Sequence, residues 1–144
     1  MTDSFANQIL YPSFAMFVLV AFVLAKLARL RVGGVGKGEV DVRFYKTYQE
    51  GEEPEHIRVV TRHFINQFEV PMLFHVIVIL TYVTHHVSWW MIGCAWAYVA
   101  IRYAHSFVHL GSNDVLLRFR LYFASGLVLA VMWVSLFGTL LIRG

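Results

Sequence analysis

The chain has a single cysteine, Cys94, set inside an apolar run. An internal disulfide is excluded, the redox compartment stays open, and Cys94 reads as a packing residue. Charge is also scarce. Asp, Glu, Lys and Arg make up 15% of the 144 residues, against 58% hydrophobic residues and a mean hydropathy of +0.61. That is too apolar for a soluble domain of this length, so the class is integral membrane protein. The net charge of +3 is small, which gives nucleic-acid binding little support. No Lys or Arg precedes the first apolar run, although Asp3 does. A cleavable signal carries a basic leader, so this run is expected to be retained as a helix. No repeat, low-complexity tract or second domain interrupts residues 1–144.

Four long apolar runs remain, which predicts an all-α membrane bundle of four transmembrane helices. After a short polar leader over residues 1–9, the first is free of charge from Phe5 to Ala25, and Pro12 suits its first turn. Lys26, Arg29 and Arg31 follow, and Gly33 and Gly34 are expected to end the helix. The Gly-Val-Gly-Lys-Gly run around Lys37 is not a phosphate loop, because it lacks the distant first glycine and the following Ser or Thr. Glu50, Glu52, Glu53 and Glu55 read as a solvated acidic loop. Pro54 is placed to start a second helix from Glu55 to Thr84. After His85 and His86, Trp89 and Trp90 suit a membrane interface and open a third helix to Leu110. Gly111 to Asp114 supply a turn and a cap, and a fourth helix runs from Val115 to about Ile142. The first connection is rich in Lys and Arg, the third is followed by Arg118 and Arg120, and the second has neither. The positive-inside rule puts the first and third connections in the cytoplasm and both termini outside.

The charges inside these helices carry the functional signal. Arg62, Asn66 and Glu69 are spaced i, i+4 and i+7, on one face of a continuous helix. Arg102, His105, Ser106 and His109 form a second stripe on the third helix, and Arg118 and Arg120 lie early in the fourth. Ionisable residues within a membrane helix are costly unless they face partners or a wet cavity. Glu69 lies roughly 10 Å deeper than Arg62 along the axis. Arg102 falls at a comparable depth on the antiparallel third helix, so an ion pair between Glu69 and Arg102 is expected. Cations outnumber carboxylates at this level, so the site suits an anionic ligand with carboxylates and an apolar end.

Arg62-x3-Asn66-x2-Glu69, then Arg102-x2-His105, then Arg118, resembles the MAPEG family (membrane-associated proteins in eicosanoid and glutathione metabolism). The wording NQFEVPMLF from Asn66 to Phe74 is most similar to its uncharacterised bacterial branch. The resemblance spans all four helices. It implies a homotrimer of four-helix subunits in a lipid bilayer, the inner membrane if the source is bacterial. Glutathione would be the co-substrate, held between subunits near the cytoplasmic face. Arg29, Arg62, Asn66, Glu69, Arg102, His105 and His109 would bind it. Arg118 would be the catalytic residue, stabilising the thiolate for attack on a small lipophilic electrophile or reduction of a lipid peroxide. His109 departs from the tyrosine common in characterised members. Pro71 follows Glu69 sooner than in the eicosanoid enzymes and is expected to change the helix near the site.

Two readings of other classes compete. One is a haem or metal protein using His105, His109 and His75, in a poor setting because arginines surround them. The other is a non-catalytic scaffold, or a lipid- or anionic-ligand-binding trimer, of the same fold.

Overall fold

A computed structural model describes residues 3–49 and 51–143. Glu50, expected in the acidic loop, and the first two residues of the leader lie outside the described residues. The remainder of the leader is already helical. Helix α1 (Asp3–Ala6) passes through a 3-10 turn (Asn7–Ile9) into α2 (Leu10–Gly36). Pro12 has no N–H to give the Gln8 carbonyl, which accounts for the tightened turn just before it. A short α3 (Phe44–Thr47) lies in the first connection. The second predicted helix is two, α4 (Glu55–Asn66) and α5 (Val70–Val83), followed by α6 (Trp89–Leu110) and α7 (Val115–Arg143).

Local chemistry sets most of these limits. Pro54 precedes α4 and both Ile57 and Arg58 donate backbone bonds to its carbonyl. The Ser88 hydroxyl caps α6 by accepting from Met91 N at 3.3 Å, and Asp114 caps α7 by accepting from Leu117 N at 2.8 Å. Gly33 and Gly34 do not end α2, which runs on to Gly36. Gly34 instead permits contact: a Cβ there would lie 2.8 Å from the δ-methyl of the buried Ile57 on α4. Gly34→Val should therefore destabilise the protein by about 1–3 kcal/mol, read from unfolding in detergent.

Contacts define the two ends of the bundle. At one, Phe5 meets Trp89 edge to face, and the Tyr82 hydroxyl donates to Asn7 Oδ1 at 3.1 Å. At the other, Gly34 meets Ile57, and the end of α6 shares a cavity wall with Lys26 of α2. Between them Met16, Leu19, Val23 and Leu27 of α2 point inward at helical spacing, and Phe74 of α5 stacks on Tyr98 of α6 with centroids 4.3 Å apart.

Among the described residues three helical stretches, Ser4–Gly36, Glu55–Val83 and Val115–Ile142, are long and apolar enough to cross a membrane. The third predicted span, α6, has the length at 22 residues but is diluted by Arg102, His105 and His109. All three are buried inside the bundle, where α6 packs against α2, α4 and α7. The face of α6 turned into the bundle can carry polar residues that its exposed face, with Trp96 and Phe107, cannot.

The acidic loop is only partly solvated. Glu53 is buried, with Arg31 Nε donating to its Oε1 at 3.0 Å and the Thr61 hydroxyl donating to its Oε2 at 2.7 Å. Arg31 NH2 also donates to Thr61 at 3.2 Å, and its guanidinium stands 4.9 Å from the Tyr45 ring centre. Burial, with the Glu53 charge nearby, raises the Tyr45 phenol above its ordinary pKa. This clamp ties the first connection to α2 and α4.

Candidate functional site

The site lies near the Gly111 end of the bundle, and a break in the second span shapes it. Pro71 has no N–H for the Gln67 carbonyl and its ring crowds that oxygen. The chain leaves helical geometry at Glu69 (φ −93°, ψ −111°), and Gln67 and Phe68 bond back to Phe64 and Ile65 in tighter turns. Arg62 and Asn66 stay on α4, whereas Glu69 falls in the break. The expected three-residue face on one continuous helix is therefore not formed.

Two faces result. Arg102, His105 and His109 of α6 are buried. Arg62, Glu69 and Arg29 are exposed on the outside of the bundle, and Asn66 and Arg118 are half-buried. The expected Glu69–Arg102 ion pair is absent among the described residues. Arg102 NH2 instead donates to the Asn66 carbonyl and to Gln67 Oε1, both at 3.5 Å, and the guanidinium lies 5.8 Å from the Tyr122 ring centre. The break leaves Glu69 exposed on the outside of the bundle.

His63 of α4 joins the buried face. It is fully buried, and its ring centre is 4.6 Å from that of His109 and 5.7 Å from that of His105. Its Nε2 lies 2.8 Å from Ser106 Oγ and 3.1 Å from Gln67 Nε2. Gln67 is oriented by Arg102, which donates to its carbonyl oxygen, so its amide nitrogen donates to His63 Nε2. That order places the His63 proton on Nδ1. The signal was present in sequence: Ile57, Val60, His63 and Gln67 are all buried and recur at helical spacing. His75, proposed as a third imidazole beside His105 and His109, lies elsewhere, with its Nδ1 2.6 Å from Ser13 Oγ. Among the described residues, no group of three His, Cys, Asp or Glu side chains is arranged to hold a metal ion.

The inner cluster is rich in unused polar atoms. Arg102 Nε and NH1, both ring nitrogens of His109, Nδ1 of His63 and of His105, and Arg118 Nε have no partner within the described chain. Arg118 NH1 donates to Asn113 Oδ1 at 2.5 Å, which fixes the guanidinium at the start of α7. Buried donors without acceptors are costly, and guanidiniums are among the costliest. The donor set therefore fits an anionic ligand carrying carboxylates.

A family model matches residues 9–138 of the chain, and its description is MAPEG family. The chain belongs to the MAPEG family. No curated protein and no solved structure matches it. As a MAPEG protein it is an integral membrane helical bundle, and membership is consistent with membrane glutathione-related transferase or peroxidase roles.

Proposed function

We propose that this MAPEG protein is a membrane-embedded glutathione-dependent transferase or peroxidase acting on lipophilic electrophiles. The observation that carries this reading is the buried Arg102 beside three imidazoles, with unused donors and no carboxylate bonded to it. Arg102, His105 and His109 would receive carboxylate or carbonyl oxygens of glutathione. The outward Arg62, Glu69 and Arg29 support a homotrimer, because a neighbouring subunit is what would bring exposed charges at this level into a shared pocket. The basic connections, and with them the site, would face the cytoplasm.

Arg118 would activate the thiol. Its guanidinium is held by Asn113 and keeps Nε free. A thiol near pKa 8.5 is mostly protonated at neutral pH, and a guanidinium nearby lowers its pKa by roughly 1–3 units. The sulfur would then attack the electrophile directly, with no protein nucleophile.

The test is glutathione binding to detergent-purified protein, with thiolate absorbance followed in the ultraviolet at neutral pH. Binding with a thiolate signal is expected, and no binding at millimolar glutathione would overturn the reading in favour of a non-catalytic scaffold. Arg118→Ala should keep binding within about tenfold, the loss of one charge-assisted contact, yet lose most of the thiolate signal. An undiminished signal would remove Arg118 from the activating role.

A further inference from the structure

The end of the bundle opposite the proposed glutathione site has a cavity of about 410 Å³, between the link from α5 to α6 and the last turns of α7. His85 and His86 line it together with the buried Met91 and Leu136. No carboxylate, Lys or Arg is among its lining residues. The hydroxyls around it are engaged within the chain: Ser88 Oγ accepts from Met91 N, Ser135 Oγ accepts from Trp90 Nε1 at 3.3 Å, and the Thr139 hydroxyl donates to the Ser135 carbonyl. His86 Nδ1, by contrast, is buried and has no partner among the described residues. His85 is left-handed, with φ +59°. It closes α5, where His85 N bonds the Tyr82 carbonyl and His86 N bonds that of Thr81, both at 3.1 Å. A helix closed in this way favours glycine at the left-handed position, so a histidine there costs stability. Neighbouring side chains diverge on a helix and oppose one another on a strand. The left-handed turn lets both imidazoles line one cavity.

We infer that His85, His86 and Met91 form a binding site for a soft monovalent metal ion, Cu(I). Imidazole nitrogens and a thioether sulfur are donors that suit this ion. All three are uncharged when they ligate, and no carboxylate or thiolate stands beside them to balance a divalent ion. The third donor is a thioether, so the site needs no third His, Cys, Asp or Glu. An anion would find neither a guanidinium nor an ammonium in this cavity. The site lies at the start of α6, whereas Arg102, His105 and His109 lie towards its end, and it does not depend on the glutathione reading.

The test is anaerobic competition for Cu(I) between the full chain in detergent and the chromophoric chelator bicinchoninate at neutral pH. The protein should withdraw Cu(I) from the chelator, and equimolar Zn(II) should not displace it. His85→Gly should weaken binding by at least about tenfold, since even an outer hydrogen-bond partner of a metal ligand is worth that much. The same variant should unfold no more readily than the parent, because glycine suits the left-handed position. Met91→Leu, a near-equal volume in a buried place, should weaken binding by a similar factor and remove the sulfur signal from the copper X-ray absorption spectrum. Cys94→Ser should bind as the parent does, because Cys94 lines a different cavity. No uptake of Cu(I), or displacement by Zn(II), would overturn the assignment. So would undiminished binding in both His85→Gly and Met91→Leu, which would put the ion elsewhere, or loss of binding in Cys94→Ser, which would put it on the thiol.

Discussion

Arg102→Met is expected to leave the ligand-free protein at least as stable as the parent and to weaken glutathione binding by about 100-fold or more. The two halves of this result share one cause. Arg102 is completely buried, yet among the described residues it makes only two long hydrogen bonds, both through NH2. The cost of desolvating the guanidinium is poorly offset, and replacing such a buried charge by an apolar side chain of similar length is commonly neutral or stabilising by roughly 1–4 kcal/mol. Nε and NH1 are the groups left for a ligand. Two charge-assisted hydrogen bonds at about 1.5 kcal/mol or more each correspond to about 100-fold in affinity. Unfolding in detergent together with glutathione titration measures both quantities. A variant that unfolds readily, or one that binds as the parent does, would show that Arg102 is structural.

Arg31→Ala is expected to destabilise the protein by about 3 kcal/mol, because it strands Glu53 in a buried position without its cation. Arg31 is itself about a quarter exposed, with a side-chain exposure of 26% against 5% for Glu53, which places the loss at the low end of that range. Thr61 would still donate to Glu53 but cannot neutralise it. Arg31→Ala combined with Glu53→Gln should recover at least about half of the loss, since a neutral amide costs less to bury than a carboxylate. Proteolysis of the first connection should accelerate in the single variant and slow again in the double one. Equal loss in both variants would mean that the clamp acts by packing rather than by charge.

The difference between Arg31 and Arg29 shows how far sequence could reach. Both are basic residues at the end of one helix, and nothing local distinguishes them. In the structure Arg31 is bound to Glu53 and Thr61, whereas Arg29 is exposed. Choosing between them requires knowing which face of α2 meets the folded-back connection. Glu53 was misjudged for the same reason, since a carboxylate in a polar loop is solvated unless tertiary contacts cover it.

The apolar runs, their lengths and the chemistry of Pro54, Ser88 and Asp114 determined from sequence alone that this is an all-helical membrane protein and where most helices begin. These are local or compositional effects, set by bilayer thickness and by backbone hydrogen bonding. The residue pattern that indicated the MAPEG family was equally legible, as the match over residues 9–138 shows. Tertiary structure decided which charges face one another. Pro71 was visible as a disturbance, but the direction in which the break turns Glu69 depends on how α4 and α5 each pack. The placing of His63, rather than His75, beside His105 and His109 depends on the rotation of α4 against α6. Gly34 stays helical because close contact with Ile57 outweighs its tendency to end a helix. A helical pattern specifies which residues share a face; only packing specifies what that face meets.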